Sequence, residues 1–235
     1  MKPLCTVEWL SEHFDDPDVV VLEVAFMEPA KATYFLQGHI PGARYTWWKE
    51  LCWDETDRRF AEPEEMARRL EAFGVSDDTT LVLVGDTIQF ATYAYWALHL
   101  TGLSHLATVL DGGRQIWDLQ ERPLTTENPA PATPGSVTPG TPDWSSLVGR
   151  DDVLANLGND HRVLLDMRST EEFTGRRVSP TPSPFDHGAE RKGHIPGARH
   201  LYYEDLLGPD GTFLDRADID TILAGVGATP GTDTV

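Results

Sequence analysis

The sequence predicts an α/β protein built from two copies of one unit, each a parallel sheet flanked by helices. Three observations predict it. The heptapeptide GHIPGAR stands at residues 38–44 and again at 193–199, 155 positions later. Short continuous apolar runs (VVVLEV, TTLVLVG and ATVL in the first half, VLLDM and DTV in the second) alternate with helix-period segments. Such runs suit strands buried on both faces, as in a parallel sheet covered by helices. Between the halves lies PLTTENPAPATPGSVTPGTP, residues 123–142, with six prolines and almost no large apolar side chain. That is the composition of an extended linker. The expected organisation is a first domain over residues 1–122, a linker over 123–142, and a partial second domain over 143–235.

In chain order, the strand VVVLEV (19–24) corresponds to RVLLDM (162–167), which sets Glu23 opposite Asp166. After the heptapeptides, Trp48 and Leu51 fall opposite Tyr203 and Leu206. Pro63 then opens a helix on which Met66, Leu70 and Phe73 share one face, Glu64/Arg68 and Glu65/Arg69 form outward i, i+4 pairs, and Gly74 ends the run. Ile219, Leu223, Val226 and Gly227 repeat that pattern 153 positions later. The first half continues with a strand, a short loop at Gly85–Gln89, and a helix from about Phe90 to Gly102, whose YAYWALHL segment reads as a core helix. Carrying the 153-residue offset forward places Val82 opposite Val235, so the second copy is expected to be incomplete.

A net charge of −19 leaves little room for a basic face able to hold a nucleic-acid backbone, so no nucleic acid is expected as a partner. No apolar run approaches the roughly 18 residues of a membrane span, and Glu8, Glu12 and His13 interrupt the first segment as a signal peptide. A cytoplasmic protein without a membrane partner is expected. The two cysteines, Cys5 and Cys52, form no CxxC pair, and no His cluster has zinc-ligand spacing. Neither a disulfide framework, a metal site nor a cofactor is called for.

With GHIPGAR following an LLDMRSTEEF strand, tandem α/β units, a VLDGG turn at 109–113 and a Pro-rich linker, the chain resembles the two-domain rhodanese family of sulfurtransferases. The resemblance implies tandem rhodanese-like domains. It implies a catalytic cysteine in the C-terminal domain, at the start of the loop joining the central strand to the next helix. There, converging backbone N–H groups and a helix N-terminus favour a thiolate and an anionic donor. In the family that thiolate takes sulfur from thiosulfate or 3-mercaptopyruvate, holds it as a persulfide, and passes it to cyanide or another thiophilic acceptor. Asp86 occupies the corresponding place in the first copy, so the N-terminal domain reads as non-catalytic. Its counterpart would be residue 239, which puts the expected cysteine after Val235 and makes the 235-residue chain alone inactive. Cys5, read as preceding the first strand, and Cys52 do not lie at a strand-to-helix loop.

Other residues carry weaker signals. Arg177 and Arg191, in the segment 174–193 that has no counterpart in the first half, are candidates to hold the anionic sulfur donor. Arg176 and Lys192 share that segment. Asp166 and Arg168 stand where open parallel sheets bind ligands, with a local ion pair holding the GHIPGAR loop as the competing account. His39 and His194, identically placed in both copies, read as structural. The residues leave open a 3-mercaptopyruvate sulfurtransferase, a non-catalytic rhodanese-like scaffold, and one fragment of a split enzyme completed by a C-terminal fragment or by oligomerisation.

Overall fold

The structure, a computed structural model, describes residues 2–54, 59–178 and 191–235. It divides into two compact units, residues 1–147 with 210–212, and residues 148–209 with 213–235.

The first unit contains β1 (Leu4–Cys5), α1 (Val7–His13), β2 (Val19–Ala25), α2 (Thr33–Gln37), β3 (Arg44–Trp47), α3 (Trp48–Cys52), α4 (Pro63–Ala72), β4 (Thr80–Gly85), α5 (Ile88–Leu100), β5 (Ala107–Leu110) and α6 (Gly113–Leu119). Its five strands form a wholly parallel sheet in the order β1-β5-β4-β2-β3. The central strands β2 and β4 are largely buried on both sides, which is why both read as nearly continuous apolar runs, broken in β2 by Glu23 alone. On one face Val21, Val82 and Val84 pack with Val7 and Leu10 of α1 and with Ile116 and Trp117 of α6. Strand alternation turns Leu22, Val24, Leu81 and Leu83 to the other face, all fully buried.

Cys5 lies within β1 rather than before the first strand. A two-residue edge strand, tied to β5 by the pairs Leu4↔Val109 and Cys5↔Leu110, is too short to show a period-2 pattern. The helix expected from about Phe90 begins two residues earlier, at Ile88. Its buried positions are mostly Ala and Leu, while Tyr93 and Trp96 are half-buried against Phe60.

Residues 123–142 run extended along the first unit. His39 and Thr125 exchange backbone hydrogen bonds at 2.9 Å, Gly135 N donates to Glu71 O at 2.9 Å, and Val137 N donates to the Glu71 carboxylate at 2.9 Å. At Gly135 the chain passes so close that a Cβ would stand 1.8 Å from the Val75 carbonyl oxygen. Any side chain there would push the strap off.

The second unit contains α7 (Arg150–Ala155), β6 (Arg162–Val163), β7 (Leu165–Asp166), α8 (Thr170–Phe173), β8 (Arg199–His200), α9 (Arg216–Gly225) and β9 (Asp233–Thr234). Its strand pairs reproduce the first unit's register. Val19↔Thr80 becomes Arg162↔Asp233, Leu22↔Arg44 becomes Leu165↔Arg199, and Glu23↔Tyr45 becomes Asp166↔His200. The repeat read from two heptapeptides is therefore also a repeat of backbone hydrogen bonding. Trp48 and Tyr203 begin equivalent turns, α in α3 and 3-10 at Tyr203–Leu206. No helix among the described residues is long and apolar enough to cross a membrane.

Candidate functional site

At the carboxyl edge of the first sheet, β4 ends at Gly85 and α5 begins at Ile88. The turn is tight: a Cβ on Gly85 would stand 2.0 Å from the Thr87 carbonyl oxygen. Asp86 fills the turn, its carboxylate accepting from Phe26 N at 3.0 Å and from Thr87 N at 2.8 Å. Burial pushes its carboxyl above the ordinary range against the pull of those N–H groups. An open pocket of about 600 Å³ lies beside it, lined by Tyr34, Asp86, Thr87, Arg114, Gln115 and neighbouring residues. A carboxylate in this turn supplies an acceptor and no sulfur nucleophile.

Beneath that turn is a pairing that sequence reasoning missed. Glu23, fully buried, accepts from Ile40 N at 2.9 Å and faces Arg114 Nη1 at 3.4 Å, and Arg114 Nε donates to Asp118 at 2.8 Å. Burial raises the Glu23 carboxyl, opposed by Ile40 N–H and by Arg114. The available signal was a carboxylate inside the apolar run VVVLEV, since a charge on a buried strand needs a partner. That partner is 91 residues away.

The second unit places Asp166 at the end of β7 and Arg168 two residues on. Arg168 forks onto both carboxylate oxygens, Nε to Oδ1 at 2.9 Å and Nη2 to Oδ2 at 2.6 Å, and Nη2 also donates to Gly193 O at 2.9 Å. His200 Nε2 donates to the Arg168 carbonyl at 2.8 Å. Arg168 thus ties the β7 end to the first residue of the second GHIPGAR. Burial raises the Asp166 carboxyl, but the Arg168 fork outweighs it and holds the group below the ordinary carboxylate range. Arg177 pairs with Glu171 at 3.2 Å, and Arg191 is exposed. The rest of the segment that carries them, residues 179–190, lies outside the described residues.

The two histidines adopt one geometry. His39 Nδ1 donates to Phe35 O at 2.9 Å and its ring stacks on Phe35 at 3.9 Å. His194 Nδ1 donates to Phe173 O at 2.8 Å and stacks on Phe173 at 3.8 Å. Each closes the helix that precedes its loop. The thiols are poor nucleophiles. Burial pushes Cys5 up to about 11 and the fully buried Cys52 up to about 12, whereas a reactive cysteine needs a depressed value and access.

Comparison with known proteins adds three findings. The family model described as "Rhodanese-like domain" matches residues 6–120. The sulfur carrier protein TtuD of Thermus thermophilus is 36% identical over 236 residues, covering 99% of this chain and 80% of that protein. A protein of Saccharopolyspora erythraea, whose name marks it as a candidate thiosulfate sulfurtransferase, is 34% identical with the same coverage. Among solved structures, the 3-mercaptopyruvate sulfotransferase SseA from Escherichia coli superposes with a TM-score of 0.78 at 24% identity, over 100% of this chain and 87% of its own, a likeness of fold.

Proposed function

The chain belongs to the rhodanese-like family of sulfurtransferases, and from that premise we propose that it forms the scaffold of an enzyme moving sulfane sulfur from thiosulfate to a thiophilic acceptor. In this reading a cysteine thiolate attacks the outer sulfur of thiosulfate, the S–S bond breaks, and sulfite leaves with its electron pair. The persulfide then yields its outer sulfur to cyanide or another thiophile, which restores the thiolate. Arg177 and Arg191 are assigned to the anionic donor, and the Asp166–Arg168 pair to holding the GHIPGAR loop beside it. The observation that carries the reading is the shared strand register of the two units. It supports Asp86 as the first unit's counterpart of the nucleophile, whose own place, residue 239, is not among these 235. The Thermus relative, named as a sulfur carrier, favours a second form of the same reading in which the acceptor is another protein. A 3-mercaptopyruvate donor is the alternative at the first step.

Neither thiol of this chain has the environment the first step needs. The 235-residue chain incubated with thiosulfate should therefore gain no cyanide-releasable adduct of about 32 Da by intact mass. Such an adduct on Cys5 or Cys52 would overturn the assignment. Protein isolated from its native source supplies the complementary arm. A mass well above 26.1 kDa together with a cyanide-releasable adduct supports sulfur transfer, and a mass of 26.1 kDa without one favours a non-catalytic scaffold or one part of a split enzyme.

A further inference from the structure

The helix-closing contact common to both units spans very different lengths of chain. In the first unit His39 meets Phe35 four residues back, and in the second His194 meets Phe173 across 21 residues. Returning to the same contact over a longer loop costs more chain entropy, so the second copy needs further holders to keep the two ends together. It has three. His200 stacks on Phe173 at 4.6 Å, beside the His194 stack at 3.8 Å, whereas its counterpart by strand register, Tyr45, meets Phe35 edge-on at 63°. Arg168 Nη2 donates to Gly193 O at 2.9 Å, and the residue two positions after the strand carboxylate of the first unit is Ala25. The third holder is a backbone contact: a Cβ on Gly175 would stand 3.2 Å from Gly193 N and 3.5 Å from Lys192 Cβ.

We infer that Phe173, with His194 and His200 stacked on it, is a positioning residue for the anionic sulfur donor: it holds the neck at Gly175 and Gly193 and so sets the spacing of the cations on either side. Arg176 and Arg177 follow Gly175, and Arg191 and Lys192 precede Gly193. All four lie within two residues of one backbone contact, in a chain whose net charge is −19. Held together, they offer one anion convergent charges; held apart, they are two separated pairs whose attraction falls with distance. The helical side of the neck is fixed as well. Arg176 N and Arg177 N both donate to Glu171 O, at 2.8 and 3.1 Å, and the Arg177 guanidinium pairs with the Glu171 carboxylate at 3.2 Å. The ring of Phe173 therefore acts through the neck and not on the donor. The inference rests on the assignment of Arg177 and Arg191 to that donor.

The test compares two variants of the 235-residue chain: Phe173→Leu, which keeps an apolar side chain without the ring, and Phe173→Tyr, which keeps the ring. Amide exchange is followed at Gly175, Arg176 and Arg177, with Val235, whose N–H donates to Val163 O at 2.8 Å, as the report on the rest of the unit. Thiosulfate is then titrated at constant ionic strength while the amide resonances of residues 175–177 and 191–193 are recorded. In Phe173→Leu, exchange at the three neck amides should rise about tenfold relative to Val235. Its thiosulfate dissociation constant should rise about threefold or more. Phe173→Tyr should match the parent in both. An unchanged ratio of neck to Val235 exchange in Phe173→Leu would reduce Phe173 to a core residue and overturn the proposal. Equal thiosulfate affinity in a loosened neck would also overturn it, with the donor assignment intact. Thiosulfate that moves the neck resonances of neither protein would remove the donor assignment of Arg177 and Arg191, and the positioning role with it, so the two failures are told apart.

Discussion

Glu23 and Asp166 hold the same place in the two copies and neutralise their charge by different routes. Glu23 reaches Arg114 across the domain, whereas the shorter Asp166 takes Arg168 from its own turn. Because the Arg168 fork depresses the folded-state value of Asp166, its contribution to stability is fully present above about 3.9, the ordinary aspartate value, and is lost as pH falls through the depressed one. Asp166→Asn should cost about 1 kcal/mol at pH 7. That is the low end for charge-assisted hydrogen bonds, because the Arg168 side chain is 39% exposed. Urea denaturation of both proteins at pH 7 and near pH 2 checks it, and the gap should close in acid. A gap that persists there would trace the loss to packing rather than to the carboxylate.

At the scale of elements, the two histidines make the repeat a controlled experiment. Both close a helix through Nδ1 and stack on its last aromatic ring, but His39 is buried and also meets Glu127 O at 3.1 Å, while His194 is exposed. Equal geometry at unequal burial should give unequal cost. His39→Ala is expected to lose about 2 kcal/mol by thermal or urea melting, and His194→Ala under about 1 kcal/mol. What the chain revealed before folding divides along the same line of burial. β2 and β4 were legible because both faces are covered and their residues, Glu23 and Thr80 apart, are apolar or glycine, and α4 because Met66, Leu70 and the Glu65–Arg69 pair keep a helical period, although Arg68 turns to Glu65 rather than to the expected Glu64. β1 was not legible, since two residues cannot display a period, and RVLLDM, read as one strand, is split at Leu164 into β6 and β7. The turn that holds Asp86 could be placed because the apolar run stops at Gly85. The Glu23–Arg114 pairing could not, because only the closed sheet brings α6 over β2.

For the whole molecule, burial is distributed very unevenly. Among the described residues, Val163 and Leu201 are the buried apolar side chains of the second unit, and every other buried apolar side chain belongs to the first. Since apolar burial is the main favourable term against chain entropy, the second unit should open at a small fraction of the free energy the first requires. The strap sharpens the boundary. Residues 125–143 are hydrogen-bonded to the first unit at Thr125, Gly135, Val137, Thr138 and Asp143, so they resist cleavage with it despite their linker-like composition. Limited proteolysis of the 235-residue chain should therefore leave a persistent fragment ending near Leu147, where the first unit's continuous stretch closes, rather than near Arg122. Equilibrium urea unfolding should show an early loss assigned to the second unit and a later transition of the first. One cooperative transition, or a fragment that ends near Arg122, would show that the strap and the second unit draw their stability from something other than the burial seen here.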